Sequence, residues 1–529
     1  MRKAHNNPRA GRVSSLGLAL LLALFVVSSA SAQTIEDALR FSSRQPMTGV
    51  RSLGMAGAGA AGIADYSAMF SNPAGLGYFR SSGFSGSLSF FSTEDQGRFT
   101  GPSTNALDNR INDTQLGHLA YVHKVRTRQG SLVFGAAINQ IESFSRELYY
   151  SGDNGDNSVT DFFLPVAGEY SVDTNDGEDG IPNTADDEFI PVFDRDLSFI
   201  AFELFAIDFD VDAFEAGNNP FFPAVSTGTV EQTGTIREEG AMHEINLGVA
   251  AEAAERVMVG ASLNIPVGKW TLDRFQTEDD VNNANDGAGG TTDFASLDWT
   301  QTIESNLVGV NVRAGVSVST PSGFRAGASI ETPTYYEISE DYSTIMTVRF
   351  DDGFRDSYGD DFSEDVGAGS FDYNLITPWR LGLGVGYSKR DLRVMVDAEV
   401  IDWSQMELDS DLVSFAEENR FIAQNLEDAV NVRAGIEYDF GPLTVRGGVA
   451  SISDPRKTSY GRLDSGDDRS RAFVGVGLSY RAADRFVFDV AWSGEQFYDE
   501  FVTYGVEGAP LVSEEVLRGR FAIGIRAKL

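Results

Sequence analysis

RSLGMAGAGAAGIADYSAMFSNPAGLGYF, residues 51–79, has neither the 3.6-residue apolar period of a helix nor the alternation of a strand. Gly54, Gly57, Gly59 and Gly62 let this backbone run close to other backbone. Asn72-Pro73-Ala74-Gly75 reads as a turn, because proline fixes its own φ and holds the preceding residue extended. A flexible glycine linker is the alternative reading, but Leu53, Met55, Ile63, Met69, Phe70 and Leu76 are too apolar for a solvated linker. The stretch is expected to be a compact plug threaded into something larger, with Gly54, Gly57, Gly59, Asp65, Asn72, Pro73 and Ala74 as its defining residues.

From Phe84 the texture changes to alternation. Phe84, Gly86, Leu88 and Phe90 share one face of a strand, and Ser85, Ser87 and Ser89 share the other. The pattern recurs to the last residue, for example at Val308, Val310, Val312 and at Val474, Val476, Leu478. It marks strands near 84–92, 116–126, 131–147, 241–252, 257–273, 298–319, 324–350, 371–388, 392–409, 430–440, 443–453, 471–481, 486–499 and 518–529. A soluble sandwich would also alternate, so the connections decide. Those after even-numbered strands are tight turns, and those after odd-numbered strands are long, polar and acidic. This asymmetry points to an all-β fold: a transmembrane antiparallel barrel of about fourteen strands with the plug in its lumen. An unpaired strand edge in lipid would leave polar backbone groups unsatisfied at several kcal/mol each, so the barrel has to close.

The 529-residue chain has a mean hydropathy of −0.18, too polar for a bundle of membrane helices. Its one long apolar run, residues 16–27, follows Arg2, Lys3, Arg9 and Arg12 and precedes Ala30-Ser31-Ala32, the layout of a cleaved secretory signal. The domains expected are therefore a signal peptide at 1–32, a plug at 33–82 and a barrel at 83–529. Its outer loops fall at 148–240, 274–297, 351–370, 410–429, 454–470 and 500–517. Export without any cysteine leaves stabilisation to size, sheet closure or a membrane. The net charge of −37 excludes a nucleic-acid binder. It fits either acidic loops that face divalent cations or adaptation to salt.

The plug residues Leu53-Gly54, Gly57, Gly59, Ile63-Ala64-Asp65 and Asn72-Pro73-Ala74 resemble the hatch of the FadL/TodX family, outer-membrane transporters of long-chain fatty acids and aromatic hydrocarbons. Asp402-Trp403-Ser404-Gln405 and the hairpin from Val432 to Gly448 are similar to segments of the same family. The resemblance implies a fourteen-stranded barrel with an N-terminal hatch in the cell outer membrane. It also implies a mechanism: capture of a hydrophobic small molecule in an outer groove, transfer to a pocket above the hatch, and sideways exit into lipid where the third strand kinks. Here that strand carries Gly135-Ala136-Ala137, small residues that either permit such a kink or pack against the hatch.

Further candidates lie in the outer loops and lumen. Phe162, Phe163, Phe199, Phe202 and Phe205 crowd the longest loop, and exposed phenylalanines in such number either bind something or pack together. They are expected to form the outer groove, or else a core that stiffens the loop. Arg313, Arg433 and Arg446 face the lumen, where they meet a ligand carboxylate or pair with Glu399, Glu437 and their neighbours. The segment from Asp173 to Gly180 has the oxygen-rich composition of a calcium loop without EF-hand spacing, so divalent cations are possible partners there. No catalytic set emerges: His118 and His123 fall on opposite faces of one strand, and no Gly-x-Ser-x-Gly elbow is present. Transport of hydrophobic compounds by facilitated diffusion is the leading function. A secretion-associated barrel that shuttles or docks exported proteins is the alternative.

Overall fold

The computed structural model describes residues 35–101, 106–175, 188–225, 228–285, 293–359, 366–461, 463, 469–482 and 485–529. The expected signal segment, and the 176–180 part of the expected calcium loop, lie outside the described residues.

Fourteen strands form the wall: β1 (Gly83–Phe99), β2 (Ala106–Lys124), β3 (Leu132–Ser143, resuming at Arg146–Asn154), β4 (Val230–Ala254), β5 (Val257–Asp279), β6 (Phe294–Ser319), β7 (Phe324–Glu331 and Tyr335–Phe350) and β8 (Gly369–Ile376 and Arg380–Lys389) make up its first part. The circuit continues through β9 (Leu392–Asp402 and Glu407–Asp409), β10 (Asp428–Phe440), β11 (Leu443–Ile452), β12 (Arg471–Arg481), β13 (Phe486–Val502) and β14 (Leu511–Lys528). Each strand pairs antiparallel with the next, and β14 pairs with β1 from Lys528↔Gly83 to Val512↔Phe99. The sheet is a closed cylinder.

Its outside is apolar where side chains alternate outward. Leu88, Phe90, Val308, Val310, Leu383, Val385, Val474 and Val476 are all exposed, which on a closed barrel marks the band that lipid covers. At the short-turn end Phe84 lies against Tyr121, Phe324 against Tyr387, and Tyr438 against Phe440, forming an aromatic girdle. These features make the molecule a membrane-spanning barrel of the outer-membrane type. Trp270 and Trp403 are buried inside the bore, whereas Trp492 faces outward. Their position follows from parity, because Trp270 is in phase with inward Ser262 and Asn264, not with outward Val259 and Leu263.

The strands also outrun the band. β1 and β2 continue to Phe99 and Ala106, so the connection after β1 is only 100–105 rather than a long loop. These extensions escaped an apolar pattern because their outward residues, Ser92, Glu94, Gln96 and Arg98, stand in water beyond the membrane.

Candidate functional site

The chain enters the bore as helix α1 (Ile35–Ser42), whose Ile35, Leu39 and Phe41 are buried. Residues 51–79 then cross it, and nearly every one of them is buried. What seats them is a belt of inward glycines in the wall. A Cβ added at Gly260 would lie 2.5 Å from the Pro73 backbone, and one at Gly315 would lie 2.0 Å from Asn72 Oδ1. At Gly327 and Gly384 it would meet the backbone of Ala60 and Ala61 at 2.3 Å, and at Gly448 and Gly475 the backbone of Met55 and Leu53 at 2.3 Å. The glycines lie in register across the ladder, Gly260 opposite Gly315 and Gly448 opposite Gly475. Glycine in a strand costs conformational entropy, and here it permits close approach of a second backbone.

Polar contacts finish the seat. Asn72 is fully buried and donates Nδ2 to the carbonyl oxygens of Ala60 (2.7 Å) and Val316 (3.1 Å), while its Oδ1 accepts from Ala74 N at 3.1 Å. Proline at 73 starts the short 3-10 turn that Asn72 caps. Asp397 of β9 accepts from the backbone N–H of Gly59 and, at 2.8 Å, of Ala60. Gly57 has φ +84° and backs onto Pro46 O, so it occupies the left-handed region with no space for a side chain. Gly54 rests on Gly477. Burial alone would raise the Asp65 carboxyl, but Arg51 and two hydrogen bonds from Ser67 hold it below its ordinary value.

On the loop side of this plug is a chamber of about 230 Å³. Leu39, Phe144, Trp403 and Phe497 give it apolar walls, and arginines and carboxylates give it charge. Arg433 pairs with Glu399 at 2.6 Å, and Arg44 with Glu331 at 2.8 Å. Among the described residues Arg380 has no carboxylate partner within salt-bridge distance; it donates to Ser42 O at 2.6 Å and lies over the Trp403 ring. Arg433 and Arg518 each retain a buried Nε–H with no acceptor among the described residues. Of the three arginines expected to face the lumen, Arg433 lines this chamber, Arg313 is buried against Glu331 at 2.8 Å, and Arg446 lies on the opposite side of the plug, where it pairs with Glu437 and donates to Ser479 Oγ at 2.6 Å. Helix α3 (Ala416–Asn425) closes over α1 with Ile422, and Leu426 follows into the same core.

The wall is incomplete beside this chamber. β2 pairs with β3 only from Lys124↔Val133 to His118↔Asn139, so residues 106–117 present one ladder edge that no described strand occupies. β3 leaves the wall because residues 139–145 are buried in succession, without alternation. Ile141 and Phe144 belong to the core around α1, with Phe144 edge-on to Phe41, and Gln45 N donates to Ile141 O at 2.8 Å in place of a lost ladder bond. This corrects the expected kink at Gly135, Ala136 and Ala137. Those residues pair regularly on both sides, Gly135 and Ala137 sit against or near the plug residue Met69, and the register shift comes later, between Gln140 and Glu142. Side chains bridge the gap: Ser145 Oγ donates to Asp113 Oδ2 (2.9 Å), and His243 Nε2 contacts Leu116 O (3.2 Å). The gap opens at the level of outward Leu116 and Thr114, at the upper edge of the lipid band, and Glu142, Ser143 and Phe144 border both it and the chamber.

The loop phenylalanines do not line an open groove. Phe163 is fully buried with Trp299, and Phe162 lies beside both. Phe199 and Phe202, in helix α2 (Asp196–Glu203), pack on Tyr358 and Phe193. They belong to a second apolar core above the bore, which a long loop without disulfides requires to hold a shape. Phe205 alone is well exposed, next to Phe354. His118 is buried between Ser85 and Ser87, and His123 is exposed on the other face.

No protein-family model and no characterised protein sequence matches the chain. Among solved structures, a Pseudomonas aeruginosa FadL homologue aligns with a TM-score of 0.53 at 12% identity, covering 91% of this chain and 98% of that one. The P. putida toluene transporter TodX gives 0.49 at 12% identity, covering 92% and 99%. The Ralstonia pickettii toluene transporter TbuX gives 0.47 at 16% identity, covering 92% and 99%. At these identities the likeness is one of fold, and the chain has the fold of the FadL homologue along almost its whole length.

Proposed function

We propose that this FadL-type barrel carries hydrophobic small molecules with an acidic head group across the outer membrane, and that they leave sideways through the gap beside β3. The observation that carries the reading is the joint placement of three parts. The bore is stoppered by backbone packed on backbone, the chamber lies on the loop side of the stopper, and the wall beside the chamber lacks a ladder at the level of lipid. A molecule reaching the chamber has a shorter way out through the wall than through the seated plug.

The chamber's chemistry supports the choice of head group. Among the described residues the Arg380 guanidinium has no carboxylate within salt-bridge distance and the Nε–H groups of Arg433 and Arg518 have no acceptor, and such donors bind a carboxylate with charge-assisted hydrogen bonds. Leu39, Phe144 and Phe497 stand beside them for the apolar tail. Passage is driven by the concentration gradient and requires no cofactor. Outer-membrane lipid is both the solvent of the wall and the receiving phase.

Uptake of radiolabelled compounds by cells lacking their own transporter tests this. A long-chain acid is expected to enter about tenfold faster than the alcohol of equal length, because a hydrogen bond to a charged group contributes roughly 1.5–3 kcal/mol. The Arg380→Met/Arg433→Met variant is expected to erase that preference while still admitting the alcohol. Uptake of neither compound, with exported proteins co-purifying on a barrel whose chamber is empty, would favour a docking scaffold instead.

A further inference from the structure

Beneath the plug, at the short-turn end, the bore opens into a basin of about 520 Å³. In a chain of net charge −37 this basin is basic. Its carboxylates, Glu437 and Asp439, are already engaged: Glu437 with Arg51, Arg393 and Arg446, and Asp439 with Arg393 at 2.8 Å. Of the six further cations that line it, Arg526 pairs with Asp489 at 2.7 Å, and the other five, Arg80, Arg325, Arg390, Arg481 and Lys528, have no carboxylate partner among the described residues. Arg325 is held by Gly62 O and the Tyr78 ring; the other four are exposed. Asp391 shares the turn of Arg390 but does not line the basin.

From these positions we infer that the basin is a docking site for an extended acidic peptide segment of a periplasmic protein. The spacing selects that class. Arg325 and Arg390 lie at successive short turns, Arg481 lies two short turns further on and Lys528 two strands beyond it, with Arg80 just before the adjoining β1, so the steps from Arg325 to Lys528 span two to four strands. At ~4.8 Å per strand these steps are roughly 10–19 Å. A single phosphate or carboxylate meets one or two such cations. An extended chain advancing ~3.3 Å per residue, with acidic side chains on one face, meets all of them. The basin faces the periplasm because short turns mark that end of an outer-membrane barrel. The plug forms its floor through Arg51, Ile63 and Ala64, so an occupant is confined to the periplasmic side.

The test uses the detergent-solubilised full-length protein and a fluorescein-labelled peptide of about eight residues alternating aspartate and glycine, followed by anisotropy. Saturable binding is expected at low salt, falling about tenfold or more at high salt, because the contacts are screened surface charges. Arg390→Glu/Arg481→Glu is expected to abolish it, and Arg390→Gln/Arg481→Gln to weaken it by about tenfold. Both positions changed are exposed, Arg390 in a turn and Arg481 at the end of β12, and heat-modifiable gel migration checks that each variant barrel is closed. No binding by the wild type would overturn the inference. So would binding unchanged in both variants, or displacement of the peptide by an equal concentration of pyrophosphate, which would mark a phosphate site.

Discussion

Gly448→Val is expected to make the outer membrane leaky to hydrophilic solutes, while Gly447→Val, one residue away, leaves it tight. A Cβ at Gly448 would lie 2.3 Å from the Met55 carbonyl carbon and 2.5 Å from its oxygen, and valine adds two further methyl groups into the same backbone. At Gly447 the nearest atom to an added Cβ is Ile436 Cγ2 at 3.9 Å, on the lipid side of the strand. Overpacking of this kind costs ~1–3 kcal/mol. Placed on the contact between plug and wall, that cost shifts the ratio of seated to unseated plug by roughly 5–150-fold. The wall is held by its own ladder, so the barrel should still close. Single-channel conductance in planar bilayers, or entry of a hydrophilic antibiotic, reads the difference. Equal tightness of the two variants would mean that the glycine belt is not what seats the plug.

Arg313→Met is expected to be the most destabilising single change in the bore. Arg313 is 1% exposed, and its guanidinium bonds Glu331 at 2.8 Å, Met69 O at 2.6 Å and, more loosely, Glu244 at 3.5 Å. Methionine fills much of the volume but leaves Glu244 and Glu331 buried, with Arg44 as the remaining close partner of Glu331. Breaking a buried ion pair from one side costs about 3–5 kcal/mol because the surviving charge is uncompensated. The urea midpoint of the purified barrel should fall accordingly. Arg313→Met/Glu244→Gln/Glu331→Gln should regain most of it, since the one charge that loses a partner, Arg44, keeps Glu399 at 3.4 Å. A triple variant no better than the single one would show that the loss comes from packing on Phe70 and Met69 rather than from charge.

Much of this molecule was legible in its residues, and the parts that were not have physical reasons. Alternation at positions such as Val474, Val476 and Leu478, with tight turns after every even strand, was enough to give a closed barrel of fourteen strands. The plug was legible as a stretch without period. The socket was present in the same sequence: inward glycines such as Gly384, Gly475 and Gly477 mark where another backbone comes close. The site of β3's departure also left a trace. Ile138, Ile141 and Phe144 recur every third residue, which breaks the two-residue period where the strand turns inward. Which residues pull it in was not legible, because Phe41 and Gln45 are remote in sequence. The loop phenylalanines were ambiguous for the same reason: Trp299 and Tyr358, which they cover, belong to or adjoin other strands. The pairing of Arg433 and Arg446, and the side of the plug on which each falls, likewise depends on register around the whole circuit.

The absence of native cysteine allows the route through the wall to be tested with two introduced pairs. Asp113→Cys/Ser145→Cys spans the gap beside β3, where the native side chains already meet at 2.9 Å. Ala61→Cys/Gly386→Cys ties the plug to the wall, where a Cβ at Gly386 would lie 3.5 Å from that of Ala61, within disulfide reach. Uptake of a long-chain acid under oxidising and then reducing conditions is the deciding measurement. The first pair should block uptake until it is reduced, and the second should leave uptake unchanged in either state. Uptake that stops when the plug is tied and continues when the gap is closed would contradict sideways exit and place the path through the plug.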